Sequence, residues 1–111
     1  MSEEANAPEL GPIATKLLYE DERVRVWDQE IQPGETTGPH RHDLSYALVT
    51  VEGAPLEVRP VPGHPMTHGE EPLAVTLEDR TAVIVPGGAV EDAENRGERS
   101  YRAILVEFKE V

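Results

Sequence analysis

His40 and His42 are separated by one residue, and Tyr46 follows four positions later. In an extended chain, residues two apart project from the same face. The two imidazoles can therefore converge on one ion, with Tyr46 on the same parity one step further in. Neutral imidazole is a ligand for zinc, iron, copper or nickel. A phenol within reach can hydrogen-bond a bound molecule or move a proton in general acid–base chemistry. Its ordinary pKa near 10 makes it a poor anionic ligand. An H-x-H pair is equally compatible with two surface histidines at the start of a strand, so the spacing alone leaves both readings open. Asp43 lies on the opposite parity and faces solvent or pairs with Arg41. His64 and His68, in GHPMTHGE, sit in a stretch interrupted by Pro and Gly. Such a stretch lacks the rigid face that would aim both rings at one ion, although as a lid it can touch a substrate.

The elements that must position these side chains are short and extended. Apolar residues alternate or run in brief blocks, which predicts strands over Lys16–Glu20, Val24–Ile31, Leu44–Val51, Leu56–Arg59, Leu73–Leu77, Thr81–Val85 and Ser100–Phe108. Pro33–Gly34 and Pro86–Gly87–Gly88 mark turns, where Pro presets φ and Gly is free to take positive φ. Pro60–Pro72 reads as a loop, and residues 1–12, acidic and nearly devoid of apolar side chains, as a disordered or draped arm. Many short strands at near-even spacing predict an all-β sandwich or barrel over residues 13–111. Trp27 falls in the core or at a dimer interface. Arg25, Arg59 and Arg102 pair with surface acids or, if turned inward, hold a carboxylate substrate.

Composition narrows the field further. The 111 residues include no cysteine, which excludes thiol nucleophiles, cysteine zinc sites and iron–sulfur clusters. Ten Lys and Arg against 22 Asp and Glu give a formal net charge of −12. Nucleic acids and anionic membranes are bound through basic faces, so neither is an expected partner. The chain contains neither a secretory leader pattern nor an apolar run long enough to span a bilayer, and a cytoplasmic location is expected.

The spacing around the histidines carries a resemblance. Gly34, five residues, His40-x-His42, three residues, Tyr46, six residues and Gly53 resemble the first motif of the cupins, G-x5-H-x-H-x3,4-E-x6-G. Tyr46 stands where that motif has its metal-binding Glu. In VPGGAVEDAEN, Pro86, Gly88 and Asn95 match the second motif, G-x5-P-x-G-x2-H-x3-N; Arg80 replaces its opening Gly and Glu91 its His. The resemblance spans about residues 20–108 and implies a double-stranded β-helix, a small jelly-roll barrel of two packed antiparallel sheets with both motifs at the mouth. It also implies a divalent ion (iron, manganese, zinc, nickel or copper) and pairing of two copies through their sheets as a homodimer.

On that resemblance the ligand set becomes His40, His42 and Glu91, with Tyr46 beside them to position a substrate or move its proton. Two histidines and one carboxylate form a facial set that leaves coordination positions open. If Glu91 instead belongs to a solvated acidic loop with Asp92 and Glu94, only two imidazoles remain. Three functions are therefore in play: a metal-dependent enzyme acting on a small organic molecule (a dioxygenase, isomerase, lyase or hydrolase), a metal-free barrel that binds or senses a small ligand, and an accessory protein whose barrel is filled by side chains. A cavity lined by Tyr46, Glu91 and the histidines argues against the third. Closure by Leu44, Leu48 and Val85 argues for it.

Overall fold

The computed structural model describes residue 11 and residues 13–63 and 71–109. Among these residues the chain is all β, in nine strands: β1 (Lys16–Glu20), β2 (Val24–Ile31), β3 (His40–Arg41), β4 (Tyr46–Glu52), β5 (Ala54–Pro60), β6 (Leu73–Leu77), β7 (Thr81–Val85), β8 (Val90–Asn95) and β9 (Tyr101–Phe108). They form a five-stranded sheet in the order β1-β2-β9-β4-β7 and a four-stranded sheet in the order β3-β8-β5-β6. Every pairing is antiparallel. Successive strands mostly alternate between the sheets, as the jelly roll implied by the motifs requires. No helix among the described residues is long and apolar enough to cross a membrane.

Period-two patterning builds the core. In β9, Tyr101, Ala103, Leu105 and Glu107 are buried while Arg102 and Phe108 are exposed. Ile31, Tyr46, Ala54 and Leu56 join Tyr101, Ala103 and Leu105 in the central cluster, against which Trp27, Leu48, Leu77 and Val85 pack. Trp27 thus belongs to the core side of its strand, and its indole Nε1 donates to Glu107 Oε1 at 2.8 Å. Two glycines are required by geometry. Gly34 takes φ +83° in the predicted Pro33–Gly34 turn. A Cβ on Gly53 would overlap the Leu77 carbonyl, so the β4–β5 corner closes only without a side chain. Arg80, where the second motif has Gly, retains a left-handed φ of 54°.

The structure corrects the expected elements in three places. The histidines and Tyr46 do not share one strand: β3 ends at Arg41 in one sheet, and β4 begins at Tyr46 in the other. The acidic stretch after Val90 is strand β8 rather than a loop. Its alternation places Ala93 and Asn95 in the buried class and leaves Asp92 and Glu94 only half-buried. Strands predicted from Leu44, Leu56 and Ser100 begin at Tyr46, Ala54 and Tyr101. His64 and His68, and all of the arm except residue 11, lie outside the described residues.

Candidate metal centre

Register brings the first pair together. His40 and Glu91 are direct partners across the β3–β8 ladder, and directly opposed residues place their side chains on one face. His42 keeps the parity of His40, and its amide donates to the Ala89 carbonyl at 2.9 Å, extending the pairing past the end of β3. One potential ligand atom from each of His40, His42 and Glu91 lies within 4.8 Å of the others. Tetrahedral ligands about 2.1 Å from an ion stand roughly 3.4 Å apart. The cluster is therefore up to about 1.4 Å wider than a closed tetrahedral site, so its ligands must draw together around an ion.

Both histidines are 3% exposed, and their hydrogen bonds differ. His40 Nδ1 lies 2.9 Å from the Gly38 carbonyl and 3.2 Å from Thr37 Oγ1. Donation to the carbonyl fixes the tautomer and leaves Nε2 with its lone pair, the arrangement that orients metal-binding imidazoles. Thr37 is itself anchored, donating to Gly38 O and accepting from the Ala93 amide. His42 Nδ1 is buried with no hydrogen-bond partner among the described residues, and its Nε2 stands 3.8 Å from Glu91 Oε1. Burial, then the neighbouring His40, pushes the His42 pKa down to about 3. A neutral, desolvated imidazole with an orphan nitrogen is costly in a protein core, and it is the form a metal requires. The donor chemistry therefore fits an ion.

Tyr46 reaches the cluster from the opposite sheet. Its ring stacks on His42 with centroids 4.4 Å apart and planes at 22°, while His40 meets His42 edge-on at 4.8 Å. Burial, followed by the Glu91 carboxylate, raises the Tyr46 hydroxyl well above the ordinary phenol range, so it stays protonated. Asp43 is exposed and lines a separate surface cleft with Arg41 and Arg25. Arg59 pairs with Glu57 and Glu94, and Arg102 with Asp28, in the surface pairing expected of them. Arg25 differs: its Nε donates at 2.7 Å to Glu107, a carboxylate buried in the inner face of β9.

A cavity of about 280 Å³ extends from the cluster into the barrel. Leu48 and Val85, expected to close a filled barrel, line it instead, together with Ile31, Leu56, Val58 and Leu105. Half-exposed Val83, on edge strand β7, also lines it. Two contributors escaped the sequence reading. Thr37 lies in a segment without strand patterning. Gln29 is buried on the wall of the cavity, and its parity with Trp27 and Ile31 in β2 was the available signal.

No protein-family model matches the sequence, and no curated protein matches it significantly. Solved structures do. A cupin domain from Bordetella pertussis Tohama I superposes with a TM-score of 0.71 at 22% identity, covering 90% of this chain and 100% of that one. An RmlC-like cupin with a double-stranded β-helix fold from Methanocaldococcus jannaschii gives 0.61 at 13% identity, over 90% and 86% of the two chains. The polyketide cyclase RemF from Streptomyces resistomycificus gives 0.56 at 18% identity, over 81% of this chain and 57% of that one.

Proposed function

With the double-stranded β-helix of the cupins as scaffold, we propose that this chain holds a divalent metal ion on His40, His42 and Glu91 and takes a small organic molecule into the barrel beside it. The observation that carries this reading is His42: buried, neutral and with an unpartnered Nδ1, next to an aligned His40 and a carboxylate. Three protein ligands leave open positions, and an ion there supplies Lewis-acid polarisation or oxygen activation, according to its identity. The chain's own groups do the rest. Gly38 and Thr37 hold the His40 ring, the Tyr46 phenol serves as a hydrogen-bond donor or proton source to the bound molecule, and the apolar walls exclude water.

Metal content of tag-free protein purified without chelator, beside His40→Ala/His42→Ala and Glu91→Gln variants, tests this. We expect near-stoichiometric metal in the wild type, none in the double variant and at least tenfold weaker binding in Glu91→Gln. A wild type that binds none of iron, manganese, zinc, nickel or copper on titration would overturn it and leave a metal-free ligand-binding barrel.

We also propose that two copies pair through the outer face of the five-stranded sheet. Tyr19, Val26, Val106, Ala47 and Ile84 form one row across all five strands; in the next, Ile104, Val49 and Ala82 continue the apolar surface and Lys16 and Asp28 bound it. The outer face of a solvated antiparallel sheet is ordinarily polar. The other sheet obeys this rule, with Glu57, Arg59, Glu94 and Arg96 in ion pairs. Five strands about 4.8 Å apart and about seven residues long present on the order of 550 Å² per copy, or roughly 1,100 Å² for a self-complementary pair, just above the minimum of about 1,000 Å² for a specific interface. Light scattering should give a dimer for the wild type and a monomer for Ile84→Glu, whose site is 63% exposed and tolerates charge in the folded monomer. A monomeric wild type at about 100 μM would refute pairing of micromolar or tighter affinity, the range of specific complexes.

A further inference from the structure

We propose that the molecule taken into the barrel is uncharged, largely apolar and small, with a single oxygen-bearing end held by Gln29 and Tyr46. This rests on the reading of the cavity as the ligand site and adds the chemical class of its occupant.

Charge makes the first argument. The chain has ten Lys and Arg in all, and every one falls among the described residues. None of them lines the cavity, and the one acidic wall residue among the described residues is Glu91. Beyond the reach of an ion on the histidine cluster, a ligand carboxylate or phosphate in the barrel would lose its hydration without meeting a cationic side chain, a large desolvation penalty. A ligand ammonium would meet one carboxylate that the histidine cluster already engages.

Size and polarity make the second. A cavity of about 280 Å³ lies just below the range of pockets for drug-sized ligands. Ten of the wall residues are aliphatic, from Ile31 on β2 to Leu105 on β9. The polar remainder is mostly committed within the protein. Thr37 is bonded to Gly38 and Ala93, the Tyr101 hydroxyl lies beside Thr50, and His40, His42 and Glu91 form the proposed metal cluster. That leaves the Gln29 amide and the Tyr46 phenol, both uncharged and both able to donate to an oxygen.

Probes of matched size test the class in metal-free protein, so that the outcome is independent of the ion. Benzyl alcohol, toluene and benzoate are titrated by NMR. We expect benzyl alcohol to shift resonances of cavity residues, with benzoate at least tenfold weaker and toluene weaker by about threefold or more. Gln29→Leu should reverse the order of benzyl alcohol and toluene while leaving the spectrum of the fold intact. Leu48→Phe should reduce binding of both by filling the barrel. Benzoate binding as tightly as benzyl alcohol, an unchanged order in Gln29→Leu, or no binding of any probe would each overturn the inference. Zinc titration of the same sample separates the two proposals, because an occupied metal site with no probe binding sinks only this one. Probe binding without zinc binding sinks only the metal site.

Discussion

The His42 imidazole lies against the Tyr46 ring at 4.4 Å although the two residues serve different sheets, one just past the end of β3 and the other opening β4. The stack therefore pins the crossing segment between them and fixes the orientation of a ring whose own nitrogens make so few protein contacts. Tyr46→Phe preserves the stack and removes only the hydroxyl. We expect its stability to change by less than about 1 kcal/mol and its metal affinity by less than about threefold, with turnover or ligand affinity reduced. Tyr46→Ala opens a cavity and should cost about 3–5 kcal/mol, read from urea unfolding.

The burial of His42 makes stability depend on pH in a defined direction. In the unfolded chain the imidazole takes up a proton near pH 6.5, whereas in the fold it does so only near pH 3. Below about 6.5 protonation therefore favours the unfolded state, and stability of the metal-stripped protein falls as pH is lowered towards 3, by up to about 1.4 kcal/mol per pH unit. The carboxylates whose pKa values are lowered by partners, such as Glu57 beside Arg59, lose their contribution only at more acid pH. Urea midpoints at pH 7.5 and 5.5 should differ in the wild type and converge in His42→Phe. An equal slope in both proteins would show that His42 titrates normally.

Asn95 is a scaffold residue of the second motif. Fully buried, it donates through Nδ2 to the Ile31 and Arg99 carbonyls and accepts from the Gly97 amide. Asn95→Ala strands three backbone groups and should cost about 2–4 kcal/mol, measured by thermal or urea unfolding. At temperatures where it remains folded, its metal affinity should match the wild type within about threefold.

Arg80 occupies a backbone conformation that favours glycine, in the turn between β6 and β7. Of two variants that both delete its side chain, Arg80→Gly should be more stable than Arg80→Ala by about 1 kcal/mol, because only the latter keeps a Cβ in the left-handed region. Equal unfolding midpoints would refute this.

Strands made of apolar blocks, such as β2, β7 and β9, were legible because alternation survives in their sequences. β8 was not, because three of its residues are acidic and its inward positions carry Glu91, Ala93 and Asn95, none of which registers as hydrophobic. β3 is too short to pattern at all. The shared orientation of His40 and His42 was legible from parity. Their meeting with Glu91 was not, since it depends on a ladder joining residues fifty-one positions apart, and only the motif spacing hinted at it. Thr37 acts through tertiary placement, for which a single sequence holds no period, whereas Gln29 was open to reading from its parity with Trp27 and Ile31 in β2.

The brevity of β3 sets a clock. Two residues at the free edge of the four-stranded sheet carry His40 and lead into His42, while Glu91 sits on a strand paired on both sides. Backbone bonds of Thr37 and His42 to Ala93 and Ala89 extend the pairing of β3, but edge segments still open more often than the sheet interior. An ion bound there as proposed would be released at the pace of that fraying, not at the pace of global unfolding. Tight equilibrium binding is thus compatible with fast exchange of the metal, and hydrogen exchange at His42 and metal dissociation should share one temperature dependence.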